Sequence, residues 1–113
     1  MSTKILPEIV ATYIDASNRL EVKDYVATFA LDATIKEDSI GKELVGRSEI
    51  ANYFTTYFVN TKTHTELLDY TIKGDTVNMR VMFRGNFSGG EIVGLYHFLL
   101  KDGLIQELKA DLE

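Results

Sequence analysis

The chain has 113 residues, 45% hydrophobic and 26% charged, which fits one folded domain over 1–113 able to bury roughly two thirds of its unfolded surface. Seventeen acids against 12 bases give a net charge of -5, and no run of Lys or Arg could track phosphates, so the expected partners include neither nucleic acid nor an anionic membrane. Cysteine is absent, which removes disulfides, thiolate metal sites and a Cys nucleophile; no segment reaches the ~18 apolar residues of a membrane span, and a cytoplasmic location is the expectation.

Helices come first. Pro7 suits a first helical turn and Glu8 favours its dipole; from there Ile9, Val10, Tyr13, Ile14 and Ser17 recur at helical spacing to about Asn18. A shorter helix follows, with Val22, Tyr25, Val26 and Phe29 on one face, ending before Asp32. "DATIKE" then has the β-branched content of a strand. After the glycine-bounded "DSIGKELVG", Ser48 can cap a third helix, whose Ile50, Tyr53, Phe54, Tyr57 and Phe58 form an apolar stripe opposite Asn52, Thr55 and Thr56.

The second half alternates with period two over roughly 63–72, 76–87, 91–100 and 104–112, broken by turn signals at Gly74-Asp75, Ser88-Gly89-Gly90 and Asp102-Gly103. This pattern predicts a meander of antiparallel strands. Three helical stripes must bury themselves on one sheet face, giving an α+β domain. In 91–100, Val93, Leu95, His97 and Leu99 share one side, and Ile92, Gly94, Tyr96 and Phe98 the other. A strand apolar on both faces is covered on both, so a homodimer through the sheet is expected.

This element order resembles the nuclear transport factor 2-like superfamily and its SnoaL-like members. The residues that carry the likeness are "YIDASN" with Tyr13, Ala16 and Asn18, "FALDA" at 29–33, "GRSEI" with Gly46 and Ile50, "GNFSGG" at 85–90 and "YHFLLKDGLIQEL" at 96–108. The resemblance implies a cone-shaped domain, three N-terminal helices on a strongly curved antiparallel sheet, with a small-molecule pocket between the layers. Among the relatives, ketosteroid isomerases give the nearest enzymatic pattern. Tyr13 matches their helix-one oxyanion donor and Glu37 the general-base aspartate. Tyr96 stands where they carry a second oxyanion donor, an aspartic acid. Two of the three positions thus depart from the isomerase residues.

The resemblance therefore implies Glu37, Tyr13 and Tyr96 as catalytic candidates for moving a proton on a small apolar carbonyl compound, as an isomerase or polyketide cyclase does. Phe54, Phe58 and Phe98 are expected to line the pocket. The run Lys36-Glu37-Asp38 alternates faces. If Glu37 points inward, burial disfavours its charged form and poises it as a base; if it points outward it is solvated, and Asp38 takes its place should a bulge shift the register. Tyr13 is equally readable as a core tyrosine. A phenol is neutral at pH 7 and so donates a hydrogen bond without a large shift.

The ordinary readings compete elsewhere too. His64 and His97 lie in strands as structural residues, His97 facing away from the pocket. Arg80 and Arg84 share one face of 76–87 and read as a carboxylate-binding pair or as solvent-facing rim residues. Gly85 and Gly94 suggest a bulge or a close backbone approach. No HxH, HExxH or Asp-rich loop is present, so neither metal nor cofactor is expected. A non-catalytic ligand carrier or dimeric interaction module remains the alternative to the enzyme.

Overall fold

The computed structural model describes residues 5–37 and 41–113, the side chain of Lys42 excepted. Helix α1 spans Glu8–Asn18 with Pro7 as its N-cap, and it buries Val10, Tyr13, Ala16 and Ser17 against the sheet. Asn18 ties the end of α1 to the sheet: its amide Nδ2 donates to the Thr65 carbonyl (2.9 Å) and its Oδ1 accepts from the Thr65 N–H (2.7 Å). Helix α2, Val22–Ala27, is one turn and a half.

Phe29, expected on α2, opens strand β1 (Phe29–Glu37) instead. It pairs with Ile105, whose N–H donates to the Thr28 carbonyl (2.9 Å). That long-range pairing outweighs a helical spacing only one turn long. Strand β2 (Lys42–Val45) returns antiparallel to β1. Helix α3, Arg47–Phe54, starts after Gly46 at φ 87°, so Ser48 is inside the helix and does not cap it. The Glu49 carboxylate accepts the Val45 N–H (3.0 Å), and Arg47 donates twice to the Phe29 carbonyl (2.6 and 3.1 Å).

The third helix continues as a π-helical turn, Thr55–Val59. Its wider winding turns Tyr57 towards solvent while Phe58 stays buried. Four strands complete the chain: β3 (His64–Lys73), β4 (Thr76–Arg84), β5 (Glu91–Lys101) and β6 (Leu104–Leu112). β4 stops three residues before the expected end at 87.

The sheet runs in the order β2-β1-β6-β5-β4-β3. All neighbours are antiparallel except β1 and β6, which are parallel because the meander returns to dock beside the first strand. The register shifts at Leu68 in β3 and at Gln106 in β6. One extra residue on one strand bends it and raises its twist, which curls the sheet around the helices. The result is the cone-shaped α+β architecture, with the core on the concave face. No helix among the described residues is long and apolar enough to cross a membrane.

Candidate functional site

From Ala33 onwards β1 alternates cleanly: Ala33, Ile35 and Glu37 face the helices, and Lys36 faces out, 3.5 Å from Glu43. The inward reading of Glu37 is therefore the observed one, and Asp38 lies outside the described residues. Glu37 is half-buried and its Oε2 is shut off from solvent.

Pairing across the sheet places Glu37 beside Ala110 of β6, and Ala110 beside Tyr96 of β5. Adjacent strands stand about 4.8 Å apart, so the Glu37 and Tyr96 backbones are about 10 Å apart on one row. The alanine between them has only a methyl group, too short to fill the interval. Above this row lies a cavity of about 260 Å³, bordered by Glu37, Tyr96, Tyr53, Phe58, Phe83 and Thr63 and open past Tyr57, Phe87, Ile92 and Leu112.

The polar groups of this cavity are few. The Tyr96 hydroxyl is buried, and its polar neighbour is the Tyr13 phenol. Burial, and then the phenols of Tyr13, Tyr53 and Tyr25, push its pKa well above the ordinary tyrosine value. Tyr53 behaves likewise: burial, then the charge of Glu37 and the Tyr13 phenol, and a hydrogen bond to Glu37 raise it. Both phenols are thus held in the protonated, donating form. Across the cavity, Thr63 and Thr61 hydroxyls lie 2.7 Å apart, and Thr61 donates on to the Tyr57 carbonyl (2.8 Å).

Tyr13 stands one layer deeper. It is wholly buried, does not border the cavity, and shares a hydrogen bond with the Tyr25 hydroxyl (3.1 Å). Its ring packs edge-on against Tyr96 (5.9 Å) and Phe98 (5.2 Å), so it backs Tyr96 and does not join it at the opening. Desolvation raises the Tyr13 pKa to about 12. Phe54 and Phe98, expected at the pocket, are fully enclosed, Phe54 stacked on Tyr25 at 3.8 Å; Phe58 does border the cavity. Tyr53 belongs to the apolar stripe of the third helix, which reads as core first and pocket lining second; its approach from α3 to Glu37 on β1 leaves no spacing signal.

The outer sheet face has a larger groove of about 550 Å³, where Lys36, Lys109, Asp69, Arg80 and Asp111 stand with His97 and Asn78 around Leu95. His97 Nδ1 and Asn78 Oδ1 are 2.6 Å apart, on the side away from the cavity. Arg80 pairs with Asp69 (2.9 Å) and Glu113 (3.1 Å), and Arg84 with Glu66 and Glu91, all in water. The arginines therefore act as rim residues of the sheet. Among the described residues no group of three His, Asp or Glu side chains could hold a metal ion.

The pattern of the SnoaL-like domain matches residues 10–108, nearly the whole chain. The chain belongs to the SnoaL-like domain family. Solved structures agree on the fold. A protein from Sinorhizobium meliloti assigned as a polyketide cyclase is 30% identical, with a TM-score of 0.86 over 93% of this chain and 94% of that one. A protein of Kribbella flavida assigned as a ketosteroid isomerase is 15% identical, with a TM-score of 0.82 over 95% of this chain and 76% of its own. A Mycobacterium tuberculosis protein in complex with estradiol-17β-hemisuccinate is 16% identical, with a TM-score of 0.79 over 90% of this chain and 88% of its own. No curated protein matches the sequence. This SnoaL-like domain thus shares the superfamily cone with proteins of several chemistries, and the fold alone selects none of them.

Proposed function

We propose that this SnoaL-like domain binds a small apolar carbonyl compound in the inner cavity and moves a proton on it, as an isomerase or cyclase does. The observation that carries the reading is that Glu37 and Tyr96 border one cavity with only Ala110 between them. Glu37 takes a proton from the carbon next to the carbonyl. The Tyr96 hydroxyl donates to the oxygen as it gains charge. Tyr13 holds the Tyr96 ring from behind, and Tyr53 orients the Glu37 carboxylate.

Exchange of the α-protons of tetralone for deuterium, followed by NMR, tests this. The wild type accelerates exchange, and Glu37→Gln slows it by about 10²–10⁴-fold. Equal exchange by the two proteins would overturn the reading.

A second reading, a non-catalytic ligand carrier, is favoured by one observation: the Tyr96 hydroxyl oxygen is shut off from solvent. Under it, ketones bind but exchange is no faster than in buffer. In either case the outer face, where Leu95 is half-buried and Leu99 exposed beside His97, is proposed to pair with a second copy of the chain. Sedimentation checks this: a monomer at micromolar concentration would refute it.

A further inference from the structure

The wall of the cavity opposite Glu37 depends on one glycine. In the β4–β5 register Val81 faces Gly94 and Phe83 faces Ile92, yet the Phe83 ring leans diagonally across the pair to lie over Gly94. A Cβ at position 94 would stand 2.3 Å from the Phe83 Cε2 and 3.0 Å from its Cζ. Only the absence of a side chain lets the ring rest on the backbone. Phe58 and Tyr96 meet the same ring edge-on, each at 5.7 Å. Three rings thus lock one wall, and Tyr96 belongs both to that wall and to the polar end of the cavity.

The space left is small. A cavity of about 260 Å³ lies below the roughly 300–1,000 Å³ of sites that enclose drug-sized ligands. Beyond the wall the opening is apolar, with Tyr57, Leu112 and Ile92 exposed to 50%, 43% and 37%. A ligand whose carbonyl reaches Tyr96 therefore has room for a short ring system inside, and any further length must leave past these three side chains.

We propose that Phe83, seated on Gly94, is the size-determining residue of the site, favouring ketones of one or two rings over four-ring skeletons. The proposal rests on the reading of the cavity as the ligand site. An aromatic ring laid over a strand glycine also stabilises a sheet by covering its backbone. That purely structural role makes no difference between ligands of different size, and this separates the two.

Calorimetric titration with cyclohexanone, tetralone and androstenedione provides the test, in the wild type and in a Glu37→Gln background. The wild type binds tetralone at least about tenfold more tightly than androstenedione, Phe83→Leu narrows the gap and Phe83→Ala reverses it. Gly94→Ala drives the ring into the cavity and weakens tetralone binding by about 10–100-fold while far-ultraviolet dichroism keeps its native form. The same size order in Glu37→Gln upholds the gate even where proton exchange fails, so the two readings fall separately. Androstenedione bound by the wild type as tightly as tetralone, or an unchanged size order in a folded Phe83→Leu, overturns the proposal. Binding of no ketone by any of the proteins overturns both.

Discussion

The concave face has two ends built from the same kind of residue. At the closed end Tyr13, Tyr25, Phe29, Phe54 and Phe98 are fully buried and touch ring to ring, with centroids 3.8–6.0 Å apart. At the open end Tyr53, Phe58, Phe83 and Tyr96 also meet, yet leave a cavity. The difference lies in the small residues between them. Ala110 and Gly94 stand at the open end where larger side chains would close the gap. Aromatic content makes a core, and the placing of two small residues decides where that core is hollow.

The comparison breaks first at high pH. An unfolded tyrosine ionises near pH 10, whereas burial holds Tyr13 to about 12 and raises Tyr25, Tyr53 and Tyr96 well above the ordinary value. The native state keeps these protons when the unfolded chain has released them. Their contribution to stability is complete below pH 10 and is lost as pH rises from 10 through 12. A urea series by pH should show a flat midpoint below 10 and a steep fall above it; a midpoint unchanged between 10 and 12 would mean that these phenols are not buried.

The closed end should then prove the stiffer of the two in chemical denaturation. Phe98→Ala is expected to cost about 3–5 kcal/mol, while Phe87→Ala at the mouth costs about 1 kcal/mol or less. Equal losses would erase the distinction between core and cavity.

Removing single hydroxyls sharpens the contrast. Tyr13→Phe strands the Tyr25 hydroxyl in the core and costs about 1–2 kcal/mol. Tyr96→Phe removes a buried hydroxyl whose polar neighbour is the Tyr13 phenol, so it costs less stability than Tyr13→Phe, about 1 kcal/mol or less, and ketone binding weakens. A stability loss for Tyr96→Phe as large as that for Tyr13→Phe would count against Tyr96 as a donor kept for the ligand. The smallest effect belongs to the outer face. Arg84→Ala breaks only exposed pairs, so neither the melting temperature nor ketone binding should move measurably.

Much of the architecture was legible in order and spacing. Helix α1, its apolar stripe, the four late strands and their glycine turns follow from period 3.6, period 2 and turn chemistry, all of which are local. The likeness to SnoaL-like members rested on residues spread along the chain, and the family match over 10–108 agrees. Local signals failed where a distant strand or a change of winding took over: Phe29 went to β1 for the sake of Ile105, and the π-turn moved Tyr57 off the buried stripe.

The sequence by itself determined that a carboxylate stands near the end of the first strand and that strand residues alternate. Which way Glu37 points, and that Ala110 separates it from Tyr96, was decided only by the parallel docking of β6 beside β1. The reason is physical: a strand's register fixes the face of every side chain on it, and the β1–β6 register joins partners 73 to 76 residues apart, across which no local periodicity runs.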